Sequence, residues 1–490
     1  MTPDIFRIFP EVVLTVVGVL VMVADASMAP KSSRRPLGWV AAVGVMAALA
    51  ASLWQSTLPA GTAFFGTVQT DAFSTFFHVL ICGIVLVAIL LSIDTLPPDK
   101  SPAQHHVGEY FALMVFGAVG MCLLTSAVEL LVVFIALEIS SISTYVLAGY
   151  RKQTGKGPEA AMKYFLLGSF ATAFLLYGIA MVFGATGTTE VREIATLLPA
   201  ARSHVFVLLA FGLMMVGVLF KVSAAPFHVW TPDVYEGAPT PVVALMSTAP
   251  KVAAFALLIR LLYGVFPLLH PLWMPLMWVV AAVSMTVGNL AALRQQNVKR
   301  MLAYSSIAHA GYLLTAFTGS GTEPIAAVGF YTAAYAAMNV GIFALLSVVG
   351  GYDERRSSVT DYRGVLYSSP LSGGLMLLFL ISLIGIPFTG GFFAKFYSFT
   401  TAMQGGAGWL VLIGLLNSGI AAAYYLRLAL SMALPSAASA KAQGLSSVGA
   451  GVVLAVGIAA LATLALGILP GHVLDAAHAA AQSFAAIRGF

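Results

Sequence analysis

Long runs of apolar residues recur along the whole chain, separated by short polar stretches. A helix needs about 20 apolar residues to cross a hydrocarbon core of about 30 Å. Fourteen windows meet this requirement, which predicts an all-α polytopic membrane protein with about 14 transmembrane helices. The windows are 8–28, 37–54, 72–93, 108–125, 127–149, 159–184, 204–235, 240–265, 271–293, 302–319, 324–349, 370–403, 408–433 and 448–469.

Two of these windows are longer than a bilayer requires. At 1.5 Å per residue, unbroken helices over 204–235 and 370–403 would be about 48 and about 51 Å long. Each contains a helix breaker near its middle, namely Pro226 in the first and "GIPFTGGFFAK", with Pro387, in the second. Paired interrupted spans are typical of transporters built from inverted repeats.

The two breaks occupy corresponding positions in two blocks of five spans, 108–265 and 271–433. Because five is an odd number, consecutive blocks enter the membrane from opposite sides, which gives an inverted repeat. The sequence therefore predicts two such repeats, flanked by an N-terminal three-helix segment, 1–107, and a C-terminal helix segment, 434–490.

Composition supports a membrane protein and excludes several kinds of site. Hydrophobic residues make up 60% of the chain and charged residues 9%, unlike any soluble globular protein. The net charge of +5 resides in short loops rather than in one stripe, which argues against nucleic acid. Cys82 and Cys122 lie in apolar runs and are interpreted as core residues. His105 and His106 lack metal-ligand spacing, so we expect neither a metal nor a redox cofactor in this chain.

Basic residues are unequally divided between the two sides of the predicted membrane. By the positive-inside rule, both termini face away from the cytoplasm. The side opposite the cytoplasm has only Arg7, Arg192, Arg202 and Arg488. The predicted cytoplasmic side has Lys31, Arg34, Arg35, Lys100, Arg151, Lys152, Lys156, Arg294, Lys299, Arg300, Arg355, Arg356, Arg363 and Lys441.

Five ionisable residues lie well inside predicted spans, where a charge costs about 2.5–3.5 kcal/mol. Glu138, Lys251 and His309 lie near the middle of their spans, and Lys221 shortly precedes Pro226. Lys395 follows the second break, where a helix places it about 12 Å toward the outer side. We interpret them as proton-transfer groups. The alternatives are structural ion pairs, snorkelling lysines and, for His309, a packing role.

The residues Glu138 and Lys221 can be interpreted as a proton switch. A desolvated lysine releases its proton easily, whereas a nearby carboxylate keeps it charged. We therefore expect Glu138 to pair with Lys221, and separation of the pair to release a proton. Nearby hydroxyls either carry a water wire or bond to their own helices. They are Ser140, Ser141, Ser143, Thr144, Ser223, Ser305 and Ser306.

Three segments carry a resemblance to a known family. "FKVSAAPFHVWTPDVYEGAPTPVVALMSTAPKVAAFALL", "NVKRMLAYSSIAHAGYLL" and "GIPFTGGFFAKFYSF" closely resemble subunit N of the proton-pumping NADH-quinone oxidoreductases, respiratory complex I. The likeness spans nearly the whole chain. It implies an antiporter-like membrane-arm subunit whose partners are other membrane-arm subunits and the lipid bilayer. NADH, FMN, iron–sulfur clusters and quinone are then bound by other subunits, and this chain holds no cofactor.

The resemblance also assigns site residues. The central polar axis of the family falls on Glu138, Lys221, Lys251, His309 and Lys395. Lys163 and His228 match supporting positions, although Lys163 lies one turn inside its span, where snorkelling is an equal alternative. The second repeat departs from the first, since it has Asn339 and Asn417 but no lysine besides Lys395.

Other functions remain open at this point. The main alternative is a subunit of a multisubunit sodium/proton antiporter, which has the same repeat. A polyprenyl-lipid transferase needs clustered acidic residues for metal-bound phosphate. The only acidic pair of this kind, Asp353-Glu354, is followed by two arginines, and we expect a solvated loop there. A purely structural anchor has no use for buried charges.

Overall fold

The structure is a computed structural model that describes residues 2–29, 32–95, 106–152, 155–201, 203–351, 354, 356–435 and 449–486. In this part of the chain almost all residues are helical, as the apolar periodicity predicts. The N-terminal segment contains α1 (Thr2–Arg7), α2 (Phe9–Ser27), α3 (Arg35–Gln55) and α4 (Ala72–Asp94). A short antiparallel hairpin, β1 (Gly61–Ala63) and β2 (Val68–Thr70), connects α3 to α4 and was not predicted.

The two predicted five-span blocks are also helical. The first contains α5 (Val107–Ser126), α6 (Leu130–Ala148), α7 (Lys156–Thr186), α8 (Val191–Leu197), α9 (His204–Lys221), α10 (Thr231–Gly237), α11 (Thr240–Met246) and α12 (Ala249–Ile259). The second contains α13 (His270–Arg294), α14 (Val298–Thr315), α15 (Glu323–Gly350), α16 (Val365–Ser368), α17 (Pro370–Ile384), α18 (Gly390–Gln404) and α19 (Gly408–Ala433). The chain continues with α20 (Ala450–Ile468) and α21 (Gly471–Ala486).

The number of spans agrees with the sequence. Twelve helical segments in the described residues are long and apolar enough to cross a membrane. The buried helix α14 and the interrupted pair α17 and α18 complete the fourteen predicted spans. The predicted all-α polytopic fold is therefore confirmed, whereas α21, which follows the last span, was not foreseen as a separate helix.

Both predicted helix breaks are present. The first lies between Lys221, the last residue of α9, and Thr231, the first of α10. The second lies between α17 and α18, where Gly385 has φ +91°. A Cβ atom on Gly391 would lie 1.8 Å from the carbonyl oxygen of Ser382, so only glycine lets the two half-helices approach so closely.

A third interruption was not predicted. The window 240–265 was expected to be one helix, but α11 ends at Met246 and α12 starts at Ala249. Between them Thr248 has φ −127° and ψ −76°, which is not helical. Pro250 at the start of α12 has no backbone donor, so it suits the first turn of a new helix better than a helix interior. It was the signal in the sequence that could have indicated this break.

Candidate functional site: buried lysine, histidine and hydroxyl groups

Lys221 is positioned by the first helix break. As the last residue of α9 it is 7% exposed, and its Nζ donates to Ser141 Oγ on α6 at 2.7 Å. The ammonium also lies 5.1 Å from the ring centre of Tyr145 and 5.7 Å from that of Tyr164. Cation–π attraction and one hydroxyl therefore surround this charge.

The expected direct pair between Glu138 and Lys221 is not formed. Among the described residues, no ion pair within 4.0 Å includes Glu138. Glu138 is half-buried, and its Oε1 is buried without a hydrogen-bond partner. Ser141 follows Glu138 by about one helical turn and occupies the place beside the ammonium. Glu138 therefore acts on Lys221 electrostatically and not through a direct ion pair.

Lys251 lies in the first turn of α12, directly after the unpredicted interruption, and is 3% exposed. Its Nζ donates to Ser306 Oγ on α14 at 2.5 Å. The same hydroxyl oxygen accepts a hydrogen bond from Tyr335 on α15 at 2.8 Å. The break between α11 and α12 thus places a lysine at the meeting point of three spans.

His309 is a member of a hydroxyl network and is not merely packed. Its Nδ1 lies 3.0 Å from the hydroxyl of Tyr331, and its Nε2 lies 3.4 Å from the hydroxyl of Tyr425. Tyr425 also hydrogen-bonds to Ser305. These tyrosines were not predicted, because buried aromatic residues cannot be distinguished from core packing in a sequence alone.

Lys395 lies in the second turn of α18, close to the second break, and its placement toward the outer side of the membrane stays a prediction. Helix α18 begins only at Gly390, and the Lys395 side chain returns to the end of α17. Its Nζ donates to the carbonyl of Ile384 at 2.8 Å and to Ser418 Oγ at 2.8 Å. A positive charge at this last carbonyl of α17 complements the dipole of the helix.

Aromatic rings bring the buried groups into one series. The Tyr312 ring centre lies 4.7 Å from Lys395 Nζ and 5.6 Å from the His309 ring centre. At the other end, the hydroxyl of Tyr235 lies 3.5 Å from Ser306 Oγ. Within the described part of the chain, no hydrogen bond joins the Lys221 group to the Lys251 group. The structure therefore has a network of hydrogen bonds and ring contacts from Lys251 to Lys395, which Lys221 joins through the rings of Tyr164, Trp230 and Tyr235.

Most of the other predicted hydroxyls do not belong to this series. Ser143 and Thr144 donate to carbonyls of their own helix. Ser223 Oγ is buried without a hydrogen-bond partner among the described residues. Of the two predicted amide side chains, Asn339 donates to Ser247 and Asn417 contacts Asn289.

The two predicted supporting residues lie outside the series. Lys163 Nζ is 2.6 Å from Asp233 and 2.7 Å from Glu159, in an ionic network that also includes Arg300. His228 is half-buried in the segment between α9 and α10, and its Nδ1 has no hydrogen-bond partner among the described residues. Neither side chain contacts the buried lysines through a hydrogen bond.

The loop after α15 is not simply solvated, contrary to the prediction for Asp353-Glu354. Glu354 lies 2.9 Å from Lys299 and 3.1 Å from Arg151, and accepts two hydrogen bonds from Thr240. Burial raises the pKa of Glu354, but the charges of Lys299 and Arg151 outweigh burial and lower this pKa to about 2. The neighbouring Asp353 and Arg355 lie outside the described residues.

Known proteins resemble this chain in sequence and in fold. Residues 127–421 match the family model described as "NADH:quinone oxidoreductase/Mrp antiporter, TM". The chain is 49% identical to "NADH-quinone oxidoreductase subunit N 2" of Koribacter versatilis, over 98% of this chain and 97% of that protein. It is 42% identical to "NADH-quinone oxidoreductase subunit N" of Trichlorobacter lovleyi, over 97% and 96% of the two chains.

Solved structures agree with these relatives. A chain of respiratory complex I from Thermus thermophilus superposes with a TM-score of 0.80 at 35% identity, covering 96% of this chain and 99% of that chain. A chain of the Mrp complex from Dietzia has a TM-score of 0.84 at 19% identity, covering 98% and 97%, which is a likeness of fold. This chain belongs to the NADH-quinone oxidoreductase subunit N family, within the broader NADH:quinone oxidoreductase/Mrp antiporter group.

Proposed function

We propose that this chain is a proton-translocating membrane-arm subunit of an NADH-quinone oxidoreductase, the bacterial respiratory complex I. Protons move through Glu138, Lys221, Lys251, His309 and Lys395, while other subunits oxidise NADH and reduce quinone. The chain is then a non-redox part of a translocase. Lys163 supports the proton route at its cytoplasmic end, and His228 supports it at the first helix break.

One observation carries the proposal. Each of the three buried lysines donates to a serine hydroxyl, at 2.7 Å for Lys221, 2.5 Å for Lys251 and 2.8 Å for Lys395. Within the described residues none of them lies within 4.0 Å of a carboxylate. A stable anchor gains nothing from charges held in this way, because a buried charge without a counter-ion is destabilising. A hydroxyl, in contrast, both accepts and donates a hydrogen bond, so it can pass a proton.

Glu138 has the role of a switch in this scheme. Its carboxylate stabilises the Lys221 ammonium through space, while Ser141 accepts the hydrogen bond of that ammonium. Movement of Glu138 away from Lys221 makes the positive charge on the lysine less favourable, so the lysine gives up its proton. The proton then has to cross the aromatic region of Tyr164 and Tyr235 to reach Ser306.

We propose the domain and membrane arrangement that the sequence predicts. We infer an N-terminal three-helix segment, 1–107, two inverted repeats, 108–265 and 271–433, and a C-terminal segment, 434–490. The positions of the two breaks at Lys221 and Gly385 support this division. The protein resides in the inner membrane with both termini periplasmic, which places Glu354 and its cationic partners on the cytoplasmic side.

Glu138→Ala tests the function in the assembled complex. The change removes a carboxylate whose Oε1 has no hydrogen-bond partner, so helix packing should survive. We expect NADH oxidation to continue in inverted membrane vesicles while proton uptake per NADH falls. Glu109→Ala, at a half-exposed helix start, serves as the control. Unchanged proton uptake per NADH in fully assembled Glu138→Ala complexes contradicts the proposal.

A sodium/proton antiporter subunit is the second candidate function, and the fold shared with the Mrp complex supports it. Proton uptake by the same vesicles, measured with and without sodium, distinguishes the two. NADH-driven proton uptake that needs no sodium supports the first function. Sodium-dependent exchange in the absence of NADH supports the second.

A further inference from the structure

A second group of buried ionisable side chains lies in the N-terminal helices, apart from the series described above. Glu11, in the first turn of α2, is 4% exposed, and His78, in the second turn of α4, is 1% exposed. Both are near the ends of their helices that we assign to the periplasmic side. Neither residue has a part in the proposed route through the buried lysines.

The two side chains form a close pair. His78 Nε2 lies 3.4 Å from Glu11 Oε1. The same nitrogen lies 3.0 Å from the carbonyl oxygen of Cys122 and 2.8 Å from Ser126 Oγ, at the end of α5. A carbonyl only accepts hydrogen bonds, so Nε2 carries the hydrogen. His78 Nδ1 is therefore the imidazole nitrogen that is able to take up a proton.

The pair is incompletely satisfied by the protein. Neither Glu11 carboxyl oxygen, nor His78 Nδ1, has a hydrogen-bond partner among the described residues. A buried carboxylate without donors is costly, and uptake of a proton relieves that cost. The pair can thus hold one proton on either partner, and its charge changes by one when that proton leaves.

Charged and thiol groups on the neighbouring helices surround the pair. Arg260, at the end of α12, interacts electrostatically with His78 and donates through Nε to the carbonyl of Thr125 at 2.8 Å. Asp71 and Arg192 act in turn on Arg260. The buried thiols of Cys82 and Cys122 also lie at this position.

Arg260 also relates the pair to the lysine series. It follows Lys251 by nine residues along one continuous helical stretch, a separation of about 14 Å at 1.5 Å per residue. Its guanidinium lies 4.9 Å from the Phe73 ring centre, in the same helix α4 as His78. One span thus carries Lys251 at the centre and Arg260 beside the pair.

We propose that Glu11 and His78 form a proton-exchange site that takes up and releases one proton at the periplasmic end of the N-terminal helices. Arg260 is a positioning residue that fixes the end of α5 against α4. This inference rests on the proposed proton-translocating function, and it adds a site outside the two five-span blocks.

The test compares three variants in the assembled complex. Glu11→Gln keeps the side-chain size but cannot ionise, whereas Glu11→Asp keeps the ionisable group on a shorter side chain. Glu109→Gln is the control, because Glu109 pairs with His106 at 3.0 Å with both side chains 54% exposed. Proton uptake per NADH is measured in inverted vesicles whose lumen, equivalent to the periplasm, is set to different pH values.

We expect Glu11→Gln to lower proton uptake per NADH and to abolish its dependence on lumenal pH. Glu11→Asp should retain that dependence, shifted along the pH axis, and Glu109→Gln should behave as the wild type. If the Gln variant keeps the wild-type ratio and pH profile while the Asp variant is less stable, the pair is structural and the inference is wrong. If Glu138→Ala also leaves proton uptake unchanged, the proposed function itself fails.

Discussion

Lys221 is the residue whose part in proton transfer can be tested with little change to its surroundings. Its Nζ contacts one hydroxyl and two aromatic rings, and all three contacts also suit a guanidinium. An arginine keeps the positive charge and the cation–π attraction but does not release its proton at physiological pH. The side chain can therefore be changed with little effect on the local packing.

We predict that Lys221→Arg allows assembly and NADH oxidation but strongly lowers proton uptake per NADH. The measurement is NADH oxidation and dye-reported proton uptake in the same vesicles, with Lys152→Arg, at an exposed loop position, as the control. A Lys221→Arg complex with the normal proton-to-NADH ratio would show that Lys221 provides only a fixed charge.

At the scale of elements, the close contact of α17 and α18 depends on one glycine. A methyl group at Gly391 meets the Ser382 carbonyl at 1.8 Å and the Met338 sulfur at 3.2 Å. Overpacking of this kind costs about 1–3 kcal/mol or displaces backbone. The displacement would separate Lys395 from the carbonyl of Ile384, which its ammonium now contacts.

We predict that Gly391→Ala lowers the thermal stability of the purified complex and lowers proton uptake per NADH. Gly374→Ala, in the middle of α17, is the matched control, because nothing lies within 4 Å of its added methyl group. Equal melting temperatures and equal proton uptake for the two variants would contradict this account of the second break.

Glu354 connects three separate elements at the side of the molecule that we assign to the cytoplasm. Its carboxylate contacts Arg151 after α6, Thr240 at the start of α11 and Lys299 on α14. Because its folded-state pKa is lowered to about 2, the carboxylate stabilises the fold above its unfolded pKa of about 4.3. That contribution is lost as the pH falls from about 4.3 through about 2.

We predict that Glu354→Gln destabilises the protein at neutral pH by about 1.5–3 kcal/mol, the value of hydrogen bonds to a charged group. The stability of the variant should also fall less than that of the wild type when the pH is lowered from 5 to 2. Thermal unfolding in detergent over this pH range provides the measurement. A variant whose stability falls with acid as steeply as that of the wild type would contradict the assignment.

The sequence predicts the elements better than the contacts. Pro226 and Gly385 are visible breakers, and apolar length determines the spans, so both could be found from residue type alone. The partner of Lys221 could not, because Glu138 and Ser141 lie one turn apart and only the packing of α6 against α9 selects the hydroxyl. The role of Glu354 was missed for the same reason, since its partners lie far from it along the chain.

At the scale of the whole molecule, the sidedness of the loops remains a prediction. Basic residues concentrate on one side, and the ionic networks around Glu354 and Asp233 lie among them. The two native cysteines are both buried and free, so an introduced cysteine would be labelled against a low background.

We predict that Lys152→Cys reacts with a membrane-impermeant maleimide only in inverted vesicles, and Ser56→Cys only in intact spheroplasts. Both positions are exposed and lie in connections on opposite predicted sides. Labelling of Lys152→Cys from outside would reverse the orientation of the entire chain, and with it the side assigned to the Glu11 and His78 pair.

The serine beside Lys221 has a consequence for the rate of proton transfer. Ser141 has a single hydroxyl hydrogen, which it donates to the Leu137 carbonyl while its oxygen accepts from Lys221. After a proton has passed through such a hydroxyl, the remaining hydrogen points the other way, and the group must rotate before it can conduct again. The Leu137 carbonyl holds that hydrogen in its resting orientation, so Ser141 passes a proton onward only after its hydroxyl has rotated away from this carbonyl, which adds one step to every transfer in either direction.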